Sequence, residues 1–209
     1  FNRLWDSDTL TIKNLLANNS ELIGKPHRFD GRFERFRPDL NAQSWREQLR
    51  HQHGGGLLLD LQSHLISTAI DCFGPAKLKY AHVKSVRGAS DDDVLLVLEH
   101  ENGVISSLAA SAISGAPGPR VRLLGDKGAL VINELDPQES LLRSGNYESG
   151  DKRSKAVIHQ GELIREIEAL PGNYVAFYKS MFDFLNGNGQ LPAVYLWSHG
   201  CYLKQILIQ

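Results

Sequence analysis

The sequence predicts an α+β fold in which a large, mostly antiparallel open sheet carries helices on one face. Apolar residues recur at helical spacing in the first third of the chain and again toward its end. Between these regions the pattern changes to short alternating segments separated by turn residues, which is typical of consecutive strands. Helices that precede and follow a run of strands indicate a single sheet covered by helices rather than repeated βαβ units.

The first third of the chain reads as a helix, a strand and a longer helix. Periodicity predicts a helix over 9–17, and alternation predicts a strand over 27–36. Pro26 and the charged face of that strand favour a position partly open to solvent. A loop then leads to a helix predicted over 57–73, which Gly74-Pro75 ends.

The centre of the chain supplies most of the sheet. Glu101-Asn102-Gly103 and the segment 125–128 are hairpin signals, because such residues adopt the backbone angles of tight turns. Residues 140–155 are polar and are interpreted as a mobile loop. Strands are predicted over 77–87, 94–100, 104–113, 120–124 and 129–133, one or two strands over 156–170, and helices over 174–185 and 193–207.

One predicted strand is apolar on both faces. Val94, Leu96 and Leu98 point to one side of the sheet, whereas Leu95 and Val97 point to the other. Helices can cover one of these faces, and a second copy of the same sheet is the simplest cover for the other. We therefore expect a homodimer formed through the open face of the sheet.

Length and charge exclude several classes of protein. The 209 residues can bury a sizeable core and correspond to one domain, 1–209. With 23 Lys and Arg against 24 Asp and Glu, the net charge of −1 does not fit a binder of nucleic acid or of a membrane surface. No apolar run is long enough to span a bilayer.

Cys72 and Cys201 are interpreted as buried thiols of a reducing cytosol, with a disulfide as the alternative.

The run Gly54-Gly55-Gly56 before the long helix is the most informative motif. Glycine backbone lets a ligand approach closely. Asp60 and His64 follow four residues apart, so on a helix both project from one face. A carboxylate and an imidazole at that spacing suit proton transfer near neutral pH, although such a pair is also a common surface contact.

Other motifs are weak or missing. The sequence has no Gly-x-Gly-x-x-Gly turn and no phosphate-binding loop, so we predict no cofactor site within this chain alone. His51 and His53 are of a residue type that binds metals, but their spacing to the helix favours no metal site. Trp45 and Arg46 precede the glycines closely enough to line the same cleft, where Trp45 is equally suited to be a packing anchor.

Together these residues resemble the carboxy-terminal domain of the Gfo/Idh/MocA oxidoreductases. The resemblance implies a two-domain, NAD(P)-dependent enzyme of which 1–209 is the substrate-binding and dimerisation domain. A Rossmann domain, absent from this chain, would bind NAD or NADP. The opening Phe1, without an initiator Met, fits this expectation of a fragment. The matching stretches are 2–8, 33–38, 45–48, 54–64, 135–139 and 171–174.

The resemblance also implies roles for individual residues. In the family, the His of the Asp-x-x-x-His pair handles the proton of the substrate hydroxyl while hydride passes to the nicotinamide, and the Asp holds the sugar and the imidazole. These roles would fall on His64 and Asp60. Many members carry a further Asp three residues after the His, where this chain has Ser67.

A sugar or polyol is the expected substrate class. Its hydroxyl groups need hydrogen-bond partners when buried. The expected substrate-binding residues are Asn2, Arg3, Trp45 and Arg46. Two alternatives stay open: a regulator of the same family that binds dinucleotide or sugar without turnover, and a module that serves only in dimerisation. The fragment alone is expected to be inactive, to hold no cofactor or metal, and to be cytoplasmic.

Overall fold

A computed structural model describes residues 1–88, 90–145 and 155–189 of the protein. Single turns of 3-10 helix span Asn2–Trp5, Ser20–Leu22 and His51–His53. The helices are α1 (Ser7–Asn18), α2 (Trp45–Gln48), α3 (Leu61–Phe73), α4 (Gln138–Arg143) and α5 (Tyr174–Leu185). The strands are β1 (Pro26–Glu34), β2 (Ala76–Lys84), β3 (Asp93–His100), β4 (Ile105–Ser111), β5 (Val121–Gly125), β6 (Ala129–Ile132), β7 (Ala156–Gln160) and β8 (Leu163–Ile167).

The described strands form one sheet in the order β2-β3-β4-β1-β5-β6-β7-β8. Each neighbouring pair is antiparallel except β1 and β4, which run parallel. The predicted class, an α+β fold with a large, mostly antiparallel sheet and helices, is confirmed. The strand that is apolar on both faces, β3, lies second from one edge.

The position of β1 refines one expectation. We predicted a strand partly open to solvent, and His27 and Arg28 of β1 are exposed, but the strand lies inside the sheet between β4 and β5 and not at an edge. Its charged face is compatible with this position because Asp30, which is fully buried, pairs with Arg122 at 2.7 Å and with Arg28 at 3.1 Å. The charges of this strand neutralise one another within the sheet and do not mark a solvated edge.

The main core lies between the sheet and α3. Leu65 and Ile66 of α3 are buried, as are the strand residues Phe29, Leu96 and Leu108. Gly31 of β1 lies at this contact, because a Cβ atom there would be 3.2 Å from the Phe29 ring and 3.4 Å from the Leu65 side chain. The helix that carries the predicted site is thereby seated against the middle of the sheet.

Several element boundaries differ from the prediction. The long helix begins at Leu61, four residues later than expected, because the backbone N–H groups of Leu57 and Leu58 donate to Asp91 and hold a turn there. The expected loop over 140–155 is helical at its start, in α4. The prediction of α5 is confirmed at both ends. The predicted helix over 193–207 and Cys201 lie outside the described residues.

Three further observations concern the cysteine, possible membrane spans and possible metal ligands. Cys72 is a free cysteine, and burial raises the pKa of its thiol. Within the described ranges no helix is long and apolar enough to cross a membrane. In that same part of the chain no group of three or more His, Cys, Asp and Glu side chains is placed to hold a metal ion.

Candidate active site

A cavity of about 370 Å³ lies beside Leu61, the first residue of α3. Its lining brings together residues from the first segment, from the end of β1, from the β4–β5 loop and from the segment after β6. The charged lining residues are Arg3, Arg32, Arg35, Arg37, Arg120, Glu34 and Glu139. The other lining residues are Phe33, Leu61, Pro117, Gly118, Asn133 and Leu135.

Two arginines share the Phe33 ring as a packing surface. The guanidinium carbon of Arg120 lies 3.7 Å from the ring centroid, and that of Arg3 lies 5.1 Å away. The ring face attracts both cations. The Nε of Arg120 also lies 3.1 Å from Oδ2 of Asp8, and both side chains are almost fully buried. This wall of the cavity is cationic and held in one geometry.

Arg3 is positioned by a buried network. Its guanidinium lies 3.1 Å from Asp6 and 3.2 Å from Glu139. Asp6 in turn accepts a 2.7 Å hydrogen bond from the hydroxyl of Tyr174. Burial, and next the charge of Asp8, raise the pKa of Asp6 to about 7. The orientation of Arg3 therefore depends on a carboxyl group that titrates near neutrality.

His64 lies in the first turn of α3, close to this cationic wall. Its ring meets the Phe1 ring edge-on at a centroid distance of 5.9 Å. Its Nδ1 atom is buried and has no hydrogen-bond partner within the described residues. Burial, followed by the charge of Arg3, lowers the pKa of His64 to about 4, and Arg120 acts in the same direction. The imidazole is therefore neutral at neutral pH.

Asp60 pairs with Arg46, a contact that the expected geometry did not include. Asp60 is the residue before α3, not part of the helix, and its Oδ2 lies 3.4 Å from Nε of Arg46. Arg46 stacks on the Trp45 ring at 4.4 Å from the centroid. No hydrogen bond or ion pair joins Asp60 to His64 within the described part of the chain.

The predicted site residues thus separate into two groups. The first group is Trp45, Arg46 and Asp60, in which Arg46 contacts the other two. The second group is Arg3 and His64, because the charge of Arg3 lowers the pKa of the imidazole. Asn2 lies in the 3-10 turn that packs against α3. Of the predicted site residues, Arg3 is the one that lines the cavity.

The structure gives the glycine run a role other than ligand approach. A Cβ atom at Gly55 would lie 1.8 Å from the Leu49 carbonyl oxygen, and one at Gly56 would lie 1.9 Å from the Asp91 carboxylate. Gly56 also has a φ of +93°, which side chains other than hydrogen rarely allow. These glycines let the chain pack closely on itself ahead of α3.

Sequence reasoning missed most of the cavity lining. Arg35 and Arg37 alternate with Phe36 after β1, and we predicted the end of a strand at Phe36 without assigning either arginine to a site. The alternation of arginines was the available signal. Arg120 carried no local signal, and Glu139, although it lies in the matching stretch 135–139, gave no indication of its contact with Arg3 across 136 residues.

Comparison with known proteins places the chain in a defined group. Residues 9–131 match the family model described as the GFO/IDH/MocA C-terminal domain. The chain is 33% identical over 201 residues to the uncharacterized oxidoreductase YdgJ of Escherichia coli, a match that covers 91% of this chain and 56% of YdgJ. It is 28% identical over 202 residues to scyllo-inositol 2-dehydrogenase (NADP(+)) IolW of Bacillus subtilis, with 91% and 55% covered.

Solved structures that resemble this chain are also described as oxidoreductases. A crystal structure of a Klebsiella pneumoniae protein assigned as an oxidoreductase superposes with a TM-score of 0.78 at 28% identity, covering 92% of this chain and 54% of that one. The chain spans just over half the length of the relatives it matches.

Proposed function

This chain belongs to the Gfo/Idh/MocA family of oxidoreductases, and from that premise we propose that it is the substrate-binding half of an NAD(P)-dependent dehydrogenase of sugars, polyols or related hydroxy compounds. In this proposal His64 takes the hydroxyl proton of the substrate or returns it. The observation that carries the proposal is the buried, neutral imidazole of His64, whose Nδ1 lacks a partner among the described residues, beside a cavity lined by Arg3 and Arg120.

A neutral imidazole is the form that this chemistry requires. Oxidation of a secondary alcohol removes the hydroxyl proton as hydride leaves the same carbon, so a nearby base must accept that proton. In the reverse direction the imidazolium returns the proton to the carbonyl oxygen. Burial and the cationic surroundings of His64 lower the pKa of the imidazolium, so that it gives up this proton readily.

We propose that the dinucleotide is bound outside this chain. The sequence has no Gly-x-Gly-x-x-Gly turn, and the described sheet has one parallel pair, β1 and β4, without the βαβ unit that cradles a pyrophosphate. The nicotinamide of the family's cofactor supplies the hydride acceptor or donor when it is bound. In our proposal residues outside this chain hold it.

The proposal has a direct test in a protein that joins this chain to its nicotinamide-binding domain. We expect His64→Ala to lower turnover by about 10²–10⁴, the usual contribution of a general acid or base, with cofactor binding retained. His27→Ala is the matched control, because His27 is exposed on β1. scyllo-Inositol, the substrate in the name of the relative IolW, is the first compound to assay. Near-normal turnover of His64→Ala would reject the role.

We also propose that the domain dimerises through the open face of the sheet. Leu95 and Val97 of β3 are half-buried, on the face opposite the core residues Leu96 and Leu98, and Leu95 pairs across the ladder with the small residue Ala109. A flat apolar surface of this kind suits burial against a second copy. Sedimentation of the wild type and of Leu95→Lys tests it: a dimer that Leu95→Lys dissociates supports the proposal, and a monomeric wild type contradicts it.

A further inference from the structure

We propose that the cavity beside α3 binds an oxyanion, a carboxylate or phosphoryl group, through Arg35 and Arg37. The inference rests on the proposed function in one respect: we take the bound anion to be a group of the dehydrogenase's substrate. It narrows the substrate class to hydroxy compounds that carry an acidic group. The anion site itself is argued from this chain alone.

The backbone that carries these two arginines is held in place. After the end of β1, the N–H of Arg35 donates to the carbonyl of Ser111 at 3.0 Å, and the N–H of Arg37 donates to that of Ala112 at 2.7 Å. The carbonyl of Arg35 accepts from the N–H of Ser114 at 3.0 Å. Alternate residues of an extended segment point to the same side, which agrees with both side chains lining the cavity.

The charges of the cavity are not balanced at Arg35 and Arg37. Three of the five lining arginines have a carboxylate within 4.0 Å: Arg3 has Asp6 and Glu139, Arg32 has Glu34, and Arg120 has Asp8. Neither Arg35 nor Arg37 forms an ion pair with any residue in the part of the chain that the structure describes. Burial, and next the charge of Arg37, lower the pKa of Arg35, as is usual for a cation without a direct counter-charge.

Arg35 also has an unsatisfied donor. Its Nε is buried and makes no hydrogen bond within the described residues. Glu47 and Asp60 are close enough to act on the Arg35 charge, but Glu47 lies 3.5 Å from Arg87 and Asp60 lies 3.4 Å from Arg46. A buried donor without an acceptor is costly, and an oxyanion in the cavity would supply the acceptor.

The shape of the cavity fits a small organic acid. Its volume of about 370 Å³ lies at the lower end of the range of small-molecule sites, roughly 300–1,000 Å³. Phe33, Leu61 and Leu135 offer apolar surface for a carbon skeleton. A guanidinium group binds a carboxylate or phosphate through two parallel hydrogen bonds, which a neutral hydroxyl group cannot match.

The test compares two polyols that differ in one group. Gluconate and sorbitol share a carbon chain and hydroxyls, but gluconate ends in a carboxylate. We would titrate the protein with gluconate, sorbitol and inorganic phosphate at constant ionic strength, up to about 50 mM to reach millimolar dissociation constants. The readout is the NMR shift of the arginine Nε–Hε signals. Arg165, which is exposed on β8, serves as the internal control.

We expect gluconate or phosphate to shift the Arg35 signal in a saturable manner. Sorbitol should not shift the Arg35 signal, and no ligand should shift the Arg165 signal. Binding by gluconate alone assigns a carboxylate, and binding by phosphate alone assigns a phosphoryl group. Arg35→Gln should weaken binding at least tenfold, whereas Arg165→Gln should leave it unchanged. Since Arg35 is partly buried, the exposed Arg37→Gln provides a second variant if Arg35→Gln misfolds, and we expect it to weaken binding as well.

The inference is overturned if neither anion binds, if sorbitol binds as tightly as gluconate, or if the cavity variants bind as the wild type does. Its failure is distinct from failure of the proposed function, because the titration involves neither His64 nor turnover. A dehydrogenase for neutral polyols would keep its dependence on His64 and show no anion binding at Arg35.

Discussion

The hydroxyl of Tyr174 donates a 2.7 Å hydrogen bond to the carboxylate of Asp6, which lies 168 residues earlier in the chain. Both side chains are buried, and Asp6 also pairs with Arg3 at 3.1 Å. This contact attaches α5 to the first turn of the protein. It thereby ties the orientation of a cavity arginine to the last described helix.

Removing the Tyr174 hydroxyl should destabilise the protein. Tyr174→Phe leaves the buried Asp6 carboxylate without one donor, at a cost of about 1–3 kcal/mol in the free energy of unfolding. Urea denaturation measures this loss. Tyr178→Phe is the matched control on the same helix, because Tyr178 is 67% exposed. Equal effects of the two variants would show that the Asp6 contact contributes nothing.

Asp6 should make stability depend on pH. Its pKa is raised from 3.8 to about 7, first by burial and then by Asp8, so the folded state holds a proton that the unfolded state has released. The stabilising contribution of the protonated form is complete below about pH 4 and is lost as the pH rises through 7. The substituted asparagine does not titrate, so we expect the free energy of unfolding of Asp6→Asn to increase relative to that of the wild type as the pH rises from about 4 to 7.

Thermal unfolding at several pH values measures the dependence on Asp6. Asp39→Asn controls for the loss of a carboxylate, because Asp39 is exposed in the loop after β1. A wild type and an Asp6→Asn variant that keep a constant difference in melting temperature between about pH 4 and 7 would contradict the prediction.

His64 should contribute to stability with the opposite sign. Burial and the Arg3 charge lower its pKa from 6.5 to about 4, so the unfolded state binds the proton first as the pH falls. Stability from this group is present above about pH 6.5 and is lost as the pH falls toward 4. NMR titration of the imidazole measures the pKa directly.

Arg3→Gln tests the electrostatic part of this shift. We expect it to raise the pKa of His64, because it removes the largest charge effect on the imidazole. Arg165→Gln, distant from the cavity, should leave the pKa unchanged. If both variants give the wild-type pKa, the charge of Arg3 does not contribute to the shift.

Gly56 should tolerate no side chain. Gly56→Ala combines a positive φ of 93° with a Cβ atom 1.9 Å from the Asp91 carboxylate. Gly103→Ala is the matched control, since Gly103 has a φ of +86° and no atom near its Cβ position. We expect a loss of about 1–2 kcal/mol at Gly103 from backbone strain, and a larger loss at Gly56. Chemical denaturation compares them, and equal losses would contradict the proposed close packing.

Local pattern was sufficient for most of the elements. The bounds of α5 match the apolar periodicity at both ends, and the turn at Glu101-Asn102-Gly103 joins β3 and β4 as expected. The start of α3 was predicted four residues early, because the turn over 57–60 is held by Asp91. A contact across 33 residues leaves no trace in the periodicity of either segment.

The roles of the candidate site residues stay predictions. The charge of Arg3 acts on His64, whereas Asp60 pairs with Arg46. The family resemblance could not indicate this, because it identifies a residue type at a position and not the direction of its side chain. Arg35 and Arg37 were not predicted as site residues, because their place in the cavity depends on segments far away in the chain.

The sequence by itself determined the fold class and the order of helices and strands, since these follow from hydrophobic periodicity and turn residues that act over a few positions. The family was indicated by the resemblance of several short stretches to known members. Tertiary structure alone decided that β1 lies inside the sheet and that Arg3, Arg35 and Arg120 line one cavity. The reason is physical: the pKa values of His64 and Arg35 depend on burial and on charges contributed by segments far apart in the chain.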